Sequence, residues 1–306
     1  MSERRFYAIL NYVAECFGGI IMETRWLYTT SENFTDLREA SQDTCVIPMG
    51  CVEKHGLHLP LGTDILQASR IVYEASQLET VCVFPDFVFG DLSENTPHTP
   101  AGTISLPLET EMLLLEQLCE QIARNGFKKI IVFNGHGGNR SWLSAFQRKI
   151  ENKPHDYVFL IVNIHCDVMR RIAKAQAFKG FTEEDKELAI RCKDNPPRDG
   201  HAGYSETAYM MAVSPQSVKM DRLGIQSGES RGLTDKYRKL GVQIRDYGWH
   251  VDFPNWIDSD EPTGCNERIG KAAMKLEAVR VAHIFKRIKE DEDLLTWHNK
   301  MWNTNI

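Results

Sequence analysis

Short apolar runs alternating with stretches of helical period predict a single α/β domain, a mainly parallel sheet flanked by helices on both faces. Three observations carry that expectation. The strand candidates at 129–133 and 157–163 are apolar without alternation, as in strands buried on both sides. Helix-period segments stand between them. Polar, glycine-bearing loops follow the strands directly, where open α/β sheets hold their ligands. At 306 residues the chain is long enough to bury one large core.

The elements follow in order. Residues 44–49 form a short apolar strand that ends in a loop dense in acidic and histidine residues. A helix over 65–78 is marked by Ile65, Ala68, Ile71, Val72 and Ala75 at helical spacing. A second strand is expected at 81–84. A helix over 108–124 places Leu114, Leu115, Leu118 and Ile122 on one side and stops at Gly126. The strands at 129–133 and 157–163 come next, then a helix entered through 199–207 and running to Met211 or Ala212. Residues 227–261, rich in Gly, Asp and aromatic side chains but weakly periodic, read as a long loop excursion over the site. A final helix over 263–290 begins in a polar turn.

Charge narrows the partners. Lys and Arg number 36 against 42 Asp and Glu, a net charge of -6 with no basic block, so a nucleic-acid partner is not expected. No stretch is long and apolar enough to suggest a membrane span. Eight scattered cysteines without a Cys-x-x-Cys pair fit buried reduced thiols and a cytoplasmic location. Residues 1–22 read as an N-terminal helical extension to a domain over 23–306, with Met22 as an alternative start.

Between Gly50 and Asp64 lie two carboxylates and two ligand-type imidazoles. Glu53 and His55 are two apart and leave one face of an extended segment, while Asp64 returns from the far side of the loop. Imidazole with carboxylate suits zinc, manganese or ferrous iron, and a bridging carboxylate lets one site hold two ions. The bland alternative is a polar loop capping backbone groups. A second constellation, Asn134-Gly135-His136-Gly137-Gly138-Asn139, follows its strand directly; it lacks the spacing and the lysine of a phosphate cradle. The third runs from Asp199 through His201 and Ser205 to Glu206 and Thr207. Its structural alternative is a helix start, with Asp199 or Ser205 as cap and Glu206 as a first-turn acid.

Taken in order, Glu53-x-His55-Gly-x-His58-Leu-Pro-x-x-Thr63-Asp64, Asn134-Gly-His136-Gly-Gly-Asn139 and His201-Ala-Gly-x-x-Glu206-Thr207 resemble the creatininase (creatinine amidohydrolase) family. The likeness extends over about residues 23–289 and includes His98-Thr-Pro-Ala-Gly-Thr-Ile-Ser105. It implies a single creatininase-like α/β domain, a dinuclear metal centre, hydrolysis of amide-like carbon–nitrogen bonds in a small molecule, and a homo-oligomer, often a hexamer. Carried over, Glu53 and His136 hold one metal, His55 the other, and Asp64 bridges them. Creatininase proper carries a metal-binding glutamate where this chain has Gly138, and Glu206 is inferred to supply that carboxylate. His201 becomes a proton donor or a carbonyl-polarising group. His58, Thr63 and Asn139 orient ligands, and His98 contacts substrate or solvent.

Two divalent ions, zinc first and manganese or iron after it, would share and activate a water, so hydrolysis of a small cyclic amide or N-formyl compound is the leading expectation. Opening of a cyclic ketone such as a dehydro-inositol at a carbon–carbon bond is the rival. A non-catalytic metal-bound maturation scaffold is a third reading. Cys51 has no evident base partner as a nucleophile. His165 and His283 read as packing histidines, and Trp249, His250 and Trp256 as a lid or a subunit interface.

Overall fold

A computed structural model describes residues 22–92, 98–244 and 247–302; the expected extension over 1–22 lies outside them except for Met22. Four parallel strands, β1 (Thr44–Met49), β2 (Cys82–Val83), β3 (Lys129–Asn134) and β4 (Val158–Asn163), form one sheet in the order β2-β1-β3-β4. The described helices of six residues or more are α1 (Phe34–Ala40), α2 (Thr63–Leu78), α3 (Leu108–Arg124), α4 (Asn139–Ile150), α5 (Val168–Ala175), α6 (Glu183–Asp194), α7 (Tyr204–Val213), a short α8 (Tyr247–Asp252), α9 (Glu267–Lys289) and α10 (Asp293–Trp302).

Strand pleating sends neighbouring residues to opposite faces, and the core divides accordingly. Val46, Ile131 and Phe133 pack with Ile71 of α2, Tyr209 of α7 and Phe285 of α9. Ile47, Ile130 and Val132 pack on the other face with Leu115 of α3 and Trp142 and Phe146 of α4. The register pairs Met49 with Asn134 and Asn134 with Asn163, so three strands finish level and release their loops along one edge.

Several elements differ from the sequence expectation for identifiable reasons. The second strand shortens to Cys82–Val83 and lies at the sheet's edge. β4, expected to be buried on both faces, is the other edge and only half-buried. α2 starts at Thr63, so Asp64 sits in a first helical turn rather than a loop. The final helix starts at Glu267, where the Asn266 side chain caps the amides of Arg268 and Ile269, and α10 follows it, capped at Asp293 and Leu294 by the Asp291 carboxylate. The 227–261 excursion includes α8 and a helical turn at Asp235–Arg238. Buried Asp252 staples it together by accepting from the amides of Leu233 (2.7 Å) and Thr234 (3.3 Å) and from the Arg238 guanidinium (3.0 Å).

Fully buried Glu277 on α9 fixes the loop after β4. It pairs with Arg171 at 2.8 Å and with Arg280, and accepts the His165 amide at 3.0 Å. Burial alone would raise the Glu277 carboxyl, but the Arg280 and Arg171 guanidinium groups hold it below its usual range. His165 and His283 are exposed rather than packed in the core. It is the backbone of His165 that is gripped, its carbonyl accepting from the Tyr209 hydroxyl at 3.0 Å.

α7 and α9 approach backbone to backbone at Gly270, where an added Cβ would lie 2.5 Å from the Ala208 carbonyl and 2.8 Å from the Ala212 nitrogen. Gly270→Ala should therefore destabilise the fold. The helix-propensity gain of about 1 kcal/mol is outweighed by overpacking that costs about 1–3 kcal/mol. A lower denaturant midpoint is expected; an unchanged or higher one would mean that the helices separate without cost.

Candidate metal centre

The level strand ends bring three loops together around Asp64. The β1 loop carries Glu53 and His55, the β3 loop carries His136, and α7 with its entry turn carries Glu206 and His201. Asp64 itself is 1% exposed. His136 Nδ1 lies 2.7 Å from Asp64 Oδ2 and 2.9 Å from Glu53 Oε1. On the opposite side, His55 Nε2 lies 3.1 Å from Asp64 Oδ1 and 3.6 Å from Glu206 Oε2. The two oxygens of one carboxylate thus face different imidazoles, and the cluster divides into two triads.

The far nitrogen of each ring is tied to the backbone. His55 Nδ1 meets the Glu53 carbonyl at 3.2 Å and His136 Nε2 meets the Asp91 carbonyl at 3.0 Å. A carbonyl only accepts, so those nitrogens carry the hydrogens and the bare lone pairs face carboxylate oxygens. Lone pair against anion is repulsive unless a proton or a cation stands between them. This orientation is the one in which histidines bind metal, and the donor set fits a divalent ion at either triad.

Protons fill the role without a cation. Burial alone would hold His55 down, but Asp64 and then Glu206 push its imidazole up to about 10. Burial opposes the same rise at His136, where Glu53 and Asp64 prevail. Asp64, despite burial, is held well below the carboxylate range by His55 and His136. Glu206 is pushed up to about 8, first by burial, with Asp64 and Glu53 adding to it and His55 opposing. Its Oε2 accepts the Ala202 amide at 2.6 Å, which aims it at His55.

His201 is not set apart from these rings. It stacks on His55 with centroids 4.0 Å apart, donates Nε2–H to the Lys54 carbonyl at 2.8 Å, and leaves Nδ1 bare at 3.8 Å from Glu53 Oε1. Burial and then the charge of His55 lower it, so the ring is neutral where His55 is charged. Cys51, 0% exposed, lies 3.2 Å from Glu53 Oε1 and 3.0 Å from Asp64 Oδ2. Burial and both carboxylates raise its thiol, which opposes a nucleophilic role.

The remaining sequence candidates brace the frame. Thr63 donates to the Pro60 carbonyl at 2.7 Å and closes the loop before α2. His58 meets the Thr207 hydroxyl at 3.2 Å, tying that loop to α7, and burial followed by the charge of His55 lowers it to about 4. Asn139 accepts the Asp91 amide at 3.0 Å and so fixes the carbonyl that His136 needs. His98 is exposed and not among the cavity-lining residues.

At Gly138 any Cβ would lie 2.4 Å from the Asp91 carbonyl oxygen and 2.5 Å from His136 Nε2. A side chain there would displace the hydrogen bond that orients His136. Glu206 approaches from α7 instead.

A cavity of about 450 Å³ opens over the cluster, bordered by His136, Gly138, Cys166, Glu206, Trp249 and His250. Trp249 and His250 thus line the cavity, while Trp256 is buried. Asp258, which the sequence reading missed, accepts from Trp249 Nε1 at 2.6 Å and from the His201 amide, joining excursion to site. Gln67, one turn beyond Asp64, was also missed; its side-chain amide reaches Asp64 Oδ1 at 3.4 Å. Neither residue belongs to a recognisable motif, although the i, i+3 spacing from Asp64 was a usable signal for Gln67.

A family model described as creatininase, creatinine amidohydrolase, matches residues 28–282. Creatinine amidohydrolase of Pseudomonas putida is 25% identical over 200 residues, 61% of this chain and 71% of the relative. Mycofactocin precursor peptide peptidase of Mycolicibacterium smegmatis is 26% identical over 185 residues, 58% of this chain and 61% of the relative. The 3-dehydro-scyllo-inosose hydrolase of Thermotoga maritima is 23% identical over 181 residues, 52% of this chain and 58% of the relative. The chain thus spans less than two thirds of the last two. Among solved structures, a manganese creatininase superposes with TM-score 0.66 at 18% identity, covering 88% of this chain and 100% of its own. A mutant creatininase described as Zn-Zn type gives 0.65 at 16%, with the same coverage. These last two are likenesses of fold.

If the nitrogens facing Asp64 receive cations, loading metal-free protein with zinc near neutral pH should release protons, because His55 and His136 hold theirs until displaced. Affinity should fall with acidification, as protons compete more strongly for both rings. Calorimetric titration in buffers of different ionisation enthalpy measures the release; binding without it would contradict this account.

Proposed function

Because the chain belongs to the creatininase family of metal-dependent amidohydrolases, we propose that it hydrolyses the carbon–nitrogen bond of a small cyclic amide or N-formyl compound. Glu53, Asp64 and His136 would hold one divalent ion, and His55, Asp64 and Glu206 a second. The observation that carries this reading is the division of Asp64 between two imidazoles, each turning toward it the nitrogen that its backbone contact leaves open. Zinc leads because nitrogen and oxygen donors suit it, with manganese or ferrous iron as alternatives. When bound, the ions acidify a shared water and polarise the substrate carbonyl.

The chain's own groups do the rest. His201, neutral and with Nδ1 open, accepts a proton from the attacking water and delivers it to the leaving nitrogen. Its Lys54 contact fixes which nitrogen performs the transfer. Trp249 and His250 border the mouth and limit water around the reacting carbonyl. A cytoplasmic homo-oligomer, a hexamer in the pattern the resemblance implies, belongs to the same reading.

Opening of a cyclic ketone at a carbon–carbon bond is the second reading, favoured by the likeness to the inosose hydrolase. The leaving atom distinguishes the two, since an amine must be protonated whereas a departing carbanion must be stabilised as an enolate. A non-catalytic scaffold finds no support in relatives that all bear hydrolase or peptidase names.

A panel of lactams, formamides and cyclic polyol ketones tests the assignment. Turnover of the amide classes with little on creatinine is expected, because Gly138 stands where creatininase proper has a carboxylate. Efficient creatinine turnover would sink that part, and activity confined to the ketones would favour the second reading.

Asp64→Ala should lower metal content at both positions, and Glu206→Gln at one. His201→Ala should keep both ions yet slow turnover by on the order of 10²–10⁴-fold. Metal loss in the His201 variant, or full retention in the Asp64 variant, would mean that these roles are misassigned.

A further inference from the structure

The β1 loop brings Cys51 to the same point as two carboxylates. Its sulfur lies 3.0 Å from Asp64 Oδ2 and 3.2 Å from Glu53 Oε1, and His136 Nδ1 approaches the same two oxygens at 2.7 and 2.9 Å. All four ligand atoms fall within 4.8 Å of one another, and all four residues are buried. A thiol has one hydrogen and can satisfy one of its two acceptors fully; the other contact sets sulfur against an anion. His136 presents Nδ1 to those same oxygens, the nitrogen that its Asp91 contact leaves for a proton or a cation. A cation at the centre would displace the protons and draw the sulfur, the nitrogen and both oxygens to one point.

We infer that Cys51 is a metal ligand, joining Glu53, Asp64 and His136 to give one position one sulfur, one nitrogen and two oxygen donors, with the shared water as a further ligand. The inference rests on the dinuclear reading above and changes its chemistry. The His55 triad keeps only nitrogen and oxygen donors, so the two positions differ in softness. Thiolate favours zinc, ferrous iron or cobalt over manganese at the Cys51 position. On binding, the divalent ion replaces the thiol proton; one metal–sulfur bond forms, one proton leaves for solvent, and no electron moves.

X-ray absorption on zinc-loaded wild-type protein reads this without a variant. Sulfur scattering at about 2.3 Å, at one sulfur per two zinc ions, is expected. In the cobalt-substituted protein, a near-ultraviolet sulfur-to-metal charge-transfer band should vanish in Cys51→Ser. The band should survive in Cys166→Ser, which removes the thiol that lines the cavity. Zinc affinity at one of the two positions should weaken in Cys51→Ser by at least the on-the-order-of 10–100-fold cost of losing an outer-shell partner. Two bound ions with only nitrogen and oxygen scattering would overturn the inference while leaving the dinuclear reading intact. A band that follows Cys166 would overturn it equally. Failure to bind any metal would overturn both.

Discussion

The whole site hangs on one buried charge. Asp64, at 1% exposure, could not remain ionised in an apolar interior without compensation costing several kcal/mol. Compensation comes from three directions. His55 and His136 flank its two oxygens, the first turn of α2 lends its amide dipoles, and Gln67 donates from one turn further along. The parallel register makes this convergence possible, because strands that end level release their loops toward a common point. Shifting one strand by a residue would separate the imidazoles from the carboxylate they serve.

A second, quieter constraint operates below the site. Glu277 grips the backbone after β4 through the His165 amide, while Asp258 ties the entry turn of α7 to Trp249. Both are carboxylates accepting hydrogen bonds from elements distant in sequence. The excursion over the cavity is likewise organised by a carboxylate, Asp252, rather than by an apolar seam. The cavity wall and the excursion are therefore held by polar anchors standing on a frame built from apolar packing.

That contrast explains what the sequence disclosed. Thr44–Met49 and Leu108–Arg124 were legible to the residue because an unbroken apolar run marks the first and helical spacing of leucines marks the second. Glu53, His55, Asp64, His136 and Glu206 could be picked out because three compact motifs announce them, and the fold gathers them within reach of one another. The helices within 227–261 were not legible, since one buried carboxylate leaves no periodic trace. Nor could spacing place His201, whose ring stacks on a residue 146 positions earlier in the chain. The edge position of β4 eluded the reading because an apolar run does not say how many neighbours a strand has.

The rings of His55, His136 and His201 are all steered by main-chain carbonyls, those of Glu53, Asp91 and Lys54. Every residue type supplies that oxygen. A substitution at Lys54 or Asp91 can therefore alter charge and bulk without removing the acceptor itself, so the aim of these imidazoles is inherited from the path of the chain. Lineages that keep the path are free to rewrite the side chains around it, which lets one chemical centre persist while the walls that choose its substrate diverge.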